Sequence, residues 1–123
     1  MENMFGNFIS SKRIKKQISL RTFSYMIGIS ATYLSKIENG IKPAPTDSIL
    51  EKIANTLALD EIEKELLFDL AAQSKGTCSL AYDLIKYINE NEIIHKTLRI
   101  SKRCNVSPDD WNDIYILISK KYL

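Results

Sequence analysis

Glycine, proline and cysteine are scarce among these 123 residues, at four, three and two. So few turn-forming residues leave little room for the many short turns of a β-rich domain. Cys78 and Cys104 make no CxxC pair, and the single His95 has no second ligand at metal spacing, so neither a metal nor a cofactor is expected. The cysteines read as small buried apolar residues of a reducing compartment, and His95 as a partly exposed helix residue. No run approaches the roughly 18 apolar residues of a membrane-spanning helix, and the N-terminus lacks a basic region leading into an apolar stretch and a cleavage site. The expectation is a cytoplasmic protein with no membrane partner. A nucleophile beside a base and a Gly-rich phosphate loop are also missing, while Asp and Glu fall mostly where caps and solvated faces need them. An enzyme is not expected.

A large excess of one charge is missing as well: 17 Lys and Arg face 15 Asp and Glu, a net +2. The average conceals a division along the chain. Residues 1–59 carry eight bases against four acids, whereas residues 60–123 carry nine against eleven. Between Ile9 and Pro45 there are seven bases and the single acid Glu38. A positive surface in the first half is the earliest functional clue.

What is abundant is apolar residues, 45% of the chain, recurring at spacings of three and four, which predicts an all-α protein. A first helix is expected over about Met4 to Lys16, with Phe5, Phe8 or Ile9, and Ile14 inward. Ser19 caps a second through Ile27, Gly28 supplies a turn, and Ser30 caps a third from Ala31 to Asn39, closed by Gly40. The prolines of Ile41-Lys42-Pro43-Ala44-Pro45 forbid a continuous helix there. Thr46 caps a fourth, striped by Ile49, Leu50, Ile53, Ala54 and Leu57. Asp60-Glu61-Ile62-Glu63 opens a fifth to about Ala72, carrying Ile62, Leu66, Leu67 and Leu70. The periodicity lapses at Gln73-Ser74-Lys75-Gly76-Thr77, which divides the chain into residues 1–74 and 75–123. About three more helices follow. Leu80, Leu84, Ile85 and Ile88 line the first, Ile94, Leu98 and Cys104 the second. Ser107-Pro108-Asp109-Asp110 starts the third, with Trp111, Ile114 or Tyr115, and Ile118 inward.

Two short helices joined by a Gly-containing turn, the second capped by a small hydroxyl residue, fit a helix-turn-helix from Ser19 to Gly40. Several runs carry a resemblance. Phe5-Gly6-Asn7-Phe8-Ile9 with Lys12-Arg13 precedes Ser19 to Ser30, where Phe23, Ile27, Gly28 and Ile29 hold the apolar and turn positions. Tyr33-Leu34-Ser35-Lys36-Ile37-Glu38-Asn39-Gly40 follows, with Pro45, Thr46 and Ile53-Ala54. Over about residues 4–72 the chain resembles the Xre family of lambda-repressor and Cro-like domains. The resemblance implies a five-helix DNA-binding domain, followed here by about three C-terminal helices. It also implies sequence-specific binding of double-stranded operator DNA, usually by a homodimer that represses transcription.

The helical period turns Ala31, Thr32, Ser35 and Lys36 away from Ile29, Leu34 and Ile37, which makes them the base-reading candidates. Lys36 can donate to guanine, Thr32 can donate or accept, and the methyl of Ala31 or Thr32 can meet a thymine methyl. Ser19, Asn39 and Lys42 occupy positions that contact phosphates in similar proteins, and Lys12, Lys15, Lys16 and Arg21 add charge nearby. Tyr33 reads either as a phosphate-contacting hydroxyl or as a packing ring. Arg13 and Glu38 match a pair that, in similar domains, joins the first helix to the recognition helix by a buried ion pair. Leu20 departs from the family, standing where many members carry a phosphate-binding glutamine, and Arg21 is the candidate replacement.

The last 47 or so residues are near the lower limit for an independent core, so they are expected to pair with a second copy, meet a protein partner, or cover the first domain. Two other readings stay open. One is an antitoxin whose C-terminal helices neutralise a partner; the other is an interaction module of the same fold that does not bind DNA.

Overall fold

The computed structural model describes residues 3–76 and 80–123, which contain eight α-helices and no strand. They are α1 (Met4–Lys15), α2 (Leu20–Ile27), α3 (Ala31–Glu38), α4 (Asp47–Thr56), α5 (Glu61–Ser74), α6 (Tyr82–Glu90), α7 (Glu92–Cys104) and α8 (Pro108–Tyr122). The chain divides into two compact units, one ending at Ile85 and the other running Lys86–Leu123.

Local chemistry sets most helix boundaries. Ser19 accepts from the amide of Thr22 and Ser30 from that of Tyr33, each at 3.1 Å, satisfying donors that the first turn leaves unpaired. Asp60 and Glu63 exchange side-chain and backbone bonds at 2.8 and 3.1 Å, and Ser107 with Asp110 makes a second capping box ahead of Pro108. Thr46 holds the N-cap position of α4 without a capping bond, its hydroxyl lying 3.4 Å from that of Ser48 instead. Gly28 ends α2 at φ 81°, a left-handed conformation that side chains resist.

In the first unit α1 lies on α3 and α5, α2 on α3 and α4, and α4 on α5. Phe5, Ile9, Phe23, Ile27, Leu34 and Ile37 are buried with Leu50, Ile53, Leu57 and Leu67 in one core. Leu20, Ile29 and Ile49 pack partly buried at its edge. The unit extends past α5, because Ala81 is buried and Tyr82 stands edge-on to Phe68 with ring centroids 5.6 Å apart.

Three inward assignments are corrected. Ile14, Ile62 and Leu66 are exposed, whereas Phe68 and Ala71 join Leu67 and Leu70 in the core. Ile14 follows Phe5 by nine positions, half a turn round the helix, so α1 cannot bury both. On α5 the neighbours α1 and α4 select the face through Leu67 and Ala71, which leaves Ile62 and Leu66 at its side.

The second unit has no buried residue at all. The expected inward residues Leu98, Trp111, Ile114, Tyr115 and Ile118 are exposed, as are Leu80, Leu84 and Ile85 before it, while Ile88 and Ile94 are half-buried. Cys104 is exposed, contrary to a buried role. Helices of this length bury a stripe only against a neighbour, and α7 and α8 make no extensive contact with one another. Cys78, and Thr77 of the expected boundary, lie outside the described residues.

Candidate nucleic-acid interface

Helix α3, the candidate recognition helix, is fixed from beneath by Leu34 and Ile37, both essentially inaccessible. Thr32 and Lys36 consequently face outward and exposed, with Ala31 and Ser35 half-buried beside them and Tyr33 at the rim. Asn39 donates to the Ser35 carbonyl at 2.8 Å and to its hydroxyl at 3.3 Å, so two candidate residues brace each other. The amides of Ile41 and Lys42 both bond the Lys36 carbonyl, at 2.8 and 3.2 Å, which folds the proline loop against the end of α3. Lys42 is thereby held near Lys36, and both are exposed. The far end of this loop is anchored by Ser74, whose hydroxyl accepts from the Ala44 amide at 2.9 Å and donates to the Ala71 carbonyl.

Charge around α3 follows from one ion pair. Arg13 donates through Nε and Nη2 to both carboxylate oxygens of Glu38 at 2.9 Å, and through Nη1 to the Ile18 carbonyl at 3.0 Å. The two side chains are only 13% and 9% exposed, so the fork is largely shielded from water. The hydrogen bonds it donates to Glu38 hold the guanidinium pKa above its ordinary value, with burial opposing. Glu38 is the lone acid between Ile9 and Pro45, and once Arg13 neutralises it no unpaired acid remains in that stretch.

The other cations divide by position. Lys15, Lys16, Arg21, Lys36 and Lys42 are exposed and have no ion-pair partner among the described residues. Lys12 is instead bound to Glu63 on α5 and lies 5.7 Å from the Phe8 ring centre, which engages its charge within the fold. Ser19 spends its oxygen on the cap of α2 and donates to the Thr22 hydroxyl at 2.9 Å. Leu20 packs against the core, consistent with leucine's inability to bond a phosphate.

Two residues with no role assigned from sequence also position α3. Asn3 donates to the Glu38 carbonyl at 2.7 Å and accepts from the Gly6 amide, tying the start of α1 to the end of α3. A Cβ on Gly6 would lie 2.5 Å from the Ile37 carbonyl oxygen, so only glycine lets the two helices approach this closely. A glycine in the first turn of an otherwise periodic helix was the available signal.

Residues 9–64 match the helix-turn-helix family. The chain is also 38% identical over 66 residues to the "HTH-type transcriptional regulator SlrR" of Bacillus subtilis (strain 168). That likeness covers 54% of this chain and 41% of the relative, so less than half of the relative's length is spanned. No solved structure matches the chain.

Proposed function

The first five helices form a helix-turn-helix domain of the Xre, lambda-repressor-like family, and from that premise we propose that the protein is a sequence-specific DNA-binding transcriptional regulator, acting as a repressor. The observation that carries this reading is the outward face of α3. It presents Thr32 and Lys36 beside Lys42, while the one nearby acid is locked to Arg13. Lys36, Thr32, Ser35 and Ala31 read bases in the major groove; Ser19, Arg21, Tyr33, Asn39, Lys42 and Lys16 hold phosphates, with Lys12 nearby and partly committed to Glu63. Residues 1–74 read the DNA and residues 75–123 assemble the protein.

The occupant of the uncovered C-terminal helices is a second copy. On α8, Trp111, Tyr115, Ile118 and Tyr122 recur at spacings of four, three and four, and all four are exposed. In an antiparallel pair Trp111 of each copy meets Tyr122 of the other, and Tyr115 meets Ile118. The acids Asp109, Asp110 and Asp113 at one end then lie toward Lys120 and Lys121 at the other, whereas a parallel pair would bring like charges together.

The test is selection from a random DNA pool with wild type, Lys36→Ala and Lys42→Ala. Lys36→Ala relaxes preference at one base position by about 1–3 kcal/mol, and Lys42→Ala weakens all sequences alike. Uniform loss in both variants would remove Lys36 from base reading. Absence of any salt-dependent duplex binding would defeat the DNA-binding reading altogether.

A further inference from the structure

Helix α7 gathers its charges on one side. At 100° per residue, Glu92, His95, Lys96, Arg99, Lys102 and Arg103 fall within about a third of the helix circumference, and Ile93, Ile94, Leu98 and Ile100 fall elsewhere. All five basic side chains are exposed. Of these five, only Lys96 has an ion-pair partner among the described residues, Glu92 at 3.2 Å, and both of those side chains stand mostly in water. Four of the seven Lys and Arg beyond Ile85 are therefore concentrated on this helix face, opposed by a single carboxylate. Neighbouring α8 distributes its charge differently, with acids in its first turn and lysines in its last.

We propose that the polar face of α7 is a second polyanion-binding surface, one that grips DNA phosphates outside the reach of the base-reading helix. The inference rests on the DNA-binding reading above. Lys96, Arg99 and Arg103 rise over about 10 Å of helix axis, and a similar length of duplex carries about six phosphates. The cations are matched by more than enough charge. Covering the apolar face of α7 by any protein neighbour leaves the basic face outward, so assembly and DNA contact do not compete for the same side chains.

A lipid surface fits less well. α7 has no Trp, Tyr or Phe to anchor in a membrane interface, and Thr97 and Ser101 interrupt its apolar side. Four cations alone make a weak nucleic-acid site, but covalent attachment to a DNA-reading unit raises the local duplex concentration to where a weak site is occupied. No fixed arrangement of the two units is needed for this.

The test uses the full chain and a fluorescent random-sequence duplex of about 30 base pairs, titrated across a range of KCl. The triple variant Arg99→Gln, Lys102→Gln, Arg103→Gln lowers the logarithmic salt slope by about 2 to 3, or about 0.9 for each phosphate no longer neutralised, without altering the preference selected at the operator. Glu92→Gln, which releases Lys96, acts in the opposite direction and tightens binding. Thermal melting of each variant reports whether folding is preserved. A triple variant that melts normally with an unchanged slope overturns the α7 surface, while the responses to Lys36→Ala and Lys42→Ala still report on the primary reading. Failure of the wild-type chain to bind the duplex at all overturns both. An unchanged slope with loss of a stoichiometric acidic protein would assign the face to a protein partner and overturn the DNA-binding role of α7.

Discussion

At Gly6, helix propensity and packing favour different residues. Alanine is better than glycine inside a helix by about 1 kcal/mol, so an isolated α1 would gain from Gly6→Ala. In the folded domain the new methyl would press on the Ile37 carbonyl, a backbone atom that cannot swing aside. Gly6→Ala is therefore expected to lower the melting temperature, and a higher one would mean that α1 can withdraw from α3 without loss. The Arg13–Glu38 pair is the second such residue-level constraint. Removing Glu38 leaves a mostly buried guanidinium with only the Ile18 carbonyl for company, and Glu38→Ala should cost on the order of 3–5 kcal/mol. Chemical denaturation measures it; an unchanged midpoint would show that water already screens the pair. Because Glu38 ends α3, the proposed recognition helix, that variant should also lose DNA affinity beyond what partial unfolding explains.

Among the helices, what the sequence makes legible is what is local. Ser19, Ser30, Asp60 and Ser107 could be identified as caps because a cap bonds an amide three residues on, within one short window of sequence. The outward turn of Thr32 and Lys36 followed from period alone, since Leu34 and Ile37 fix the opposite side. The facing of Ile62 and Leu66 was not legible, because it depends on which neighbours flank α5, whereas that of Ile14 was, since it stands half a turn from Phe5. Asn3 is beyond local reading too, its partner carbonyl lying 35 residues away.

The tie between α1 and α5 has a pH consequence of the same long-range origin. The hydrogen bond from Lys12 first, and the Asp60 amide second, hold the Glu63 pKa below its ordinary value. A carboxylate so depressed adds stability above its unfolded-state pKa and loses it as pH falls through the folded value. Wild type should therefore destabilise more steeply on acidification below the usual Glu range than Glu63→Gln does, by melting at stepped pH. With both side chains about a third exposed, the difference should be small and shrink with salt. Parallel pH profiles would detach Glu63 from acid stability.

At the scale of the whole molecule the two units answer different physical demands. The first closes a core of its own; the second, with no buried residue, leaves the faces of α7 and α8 to be covered from outside. On the reading proposed above, one α3 reads only a few base pairs and a two-fold pair would place two such helices on half-sites about 34–36 Å apart, so a second copy would answer the covering and the reading together. Ile118→Asp puts a charge in the middle of the α8 stripe, where a partner helix would have to desolvate it. Sedimentation should show a dimer for wild type and a monomer for Ile118→Asp. The melting of the first unit should be unchanged, because Ile118 lies outside that core. Operator affinity should fall by about 10²–10⁴, the loss expected when two linked contacts become one. Random-duplex binding per monomer should fall far less, since each copy keeps its own cations. A dimer that survives Ile118→Asp would move the contact from α8 to the apolar side of α7, and a monomeric wild type with full operator affinity would dissolve the link between assembly and reading.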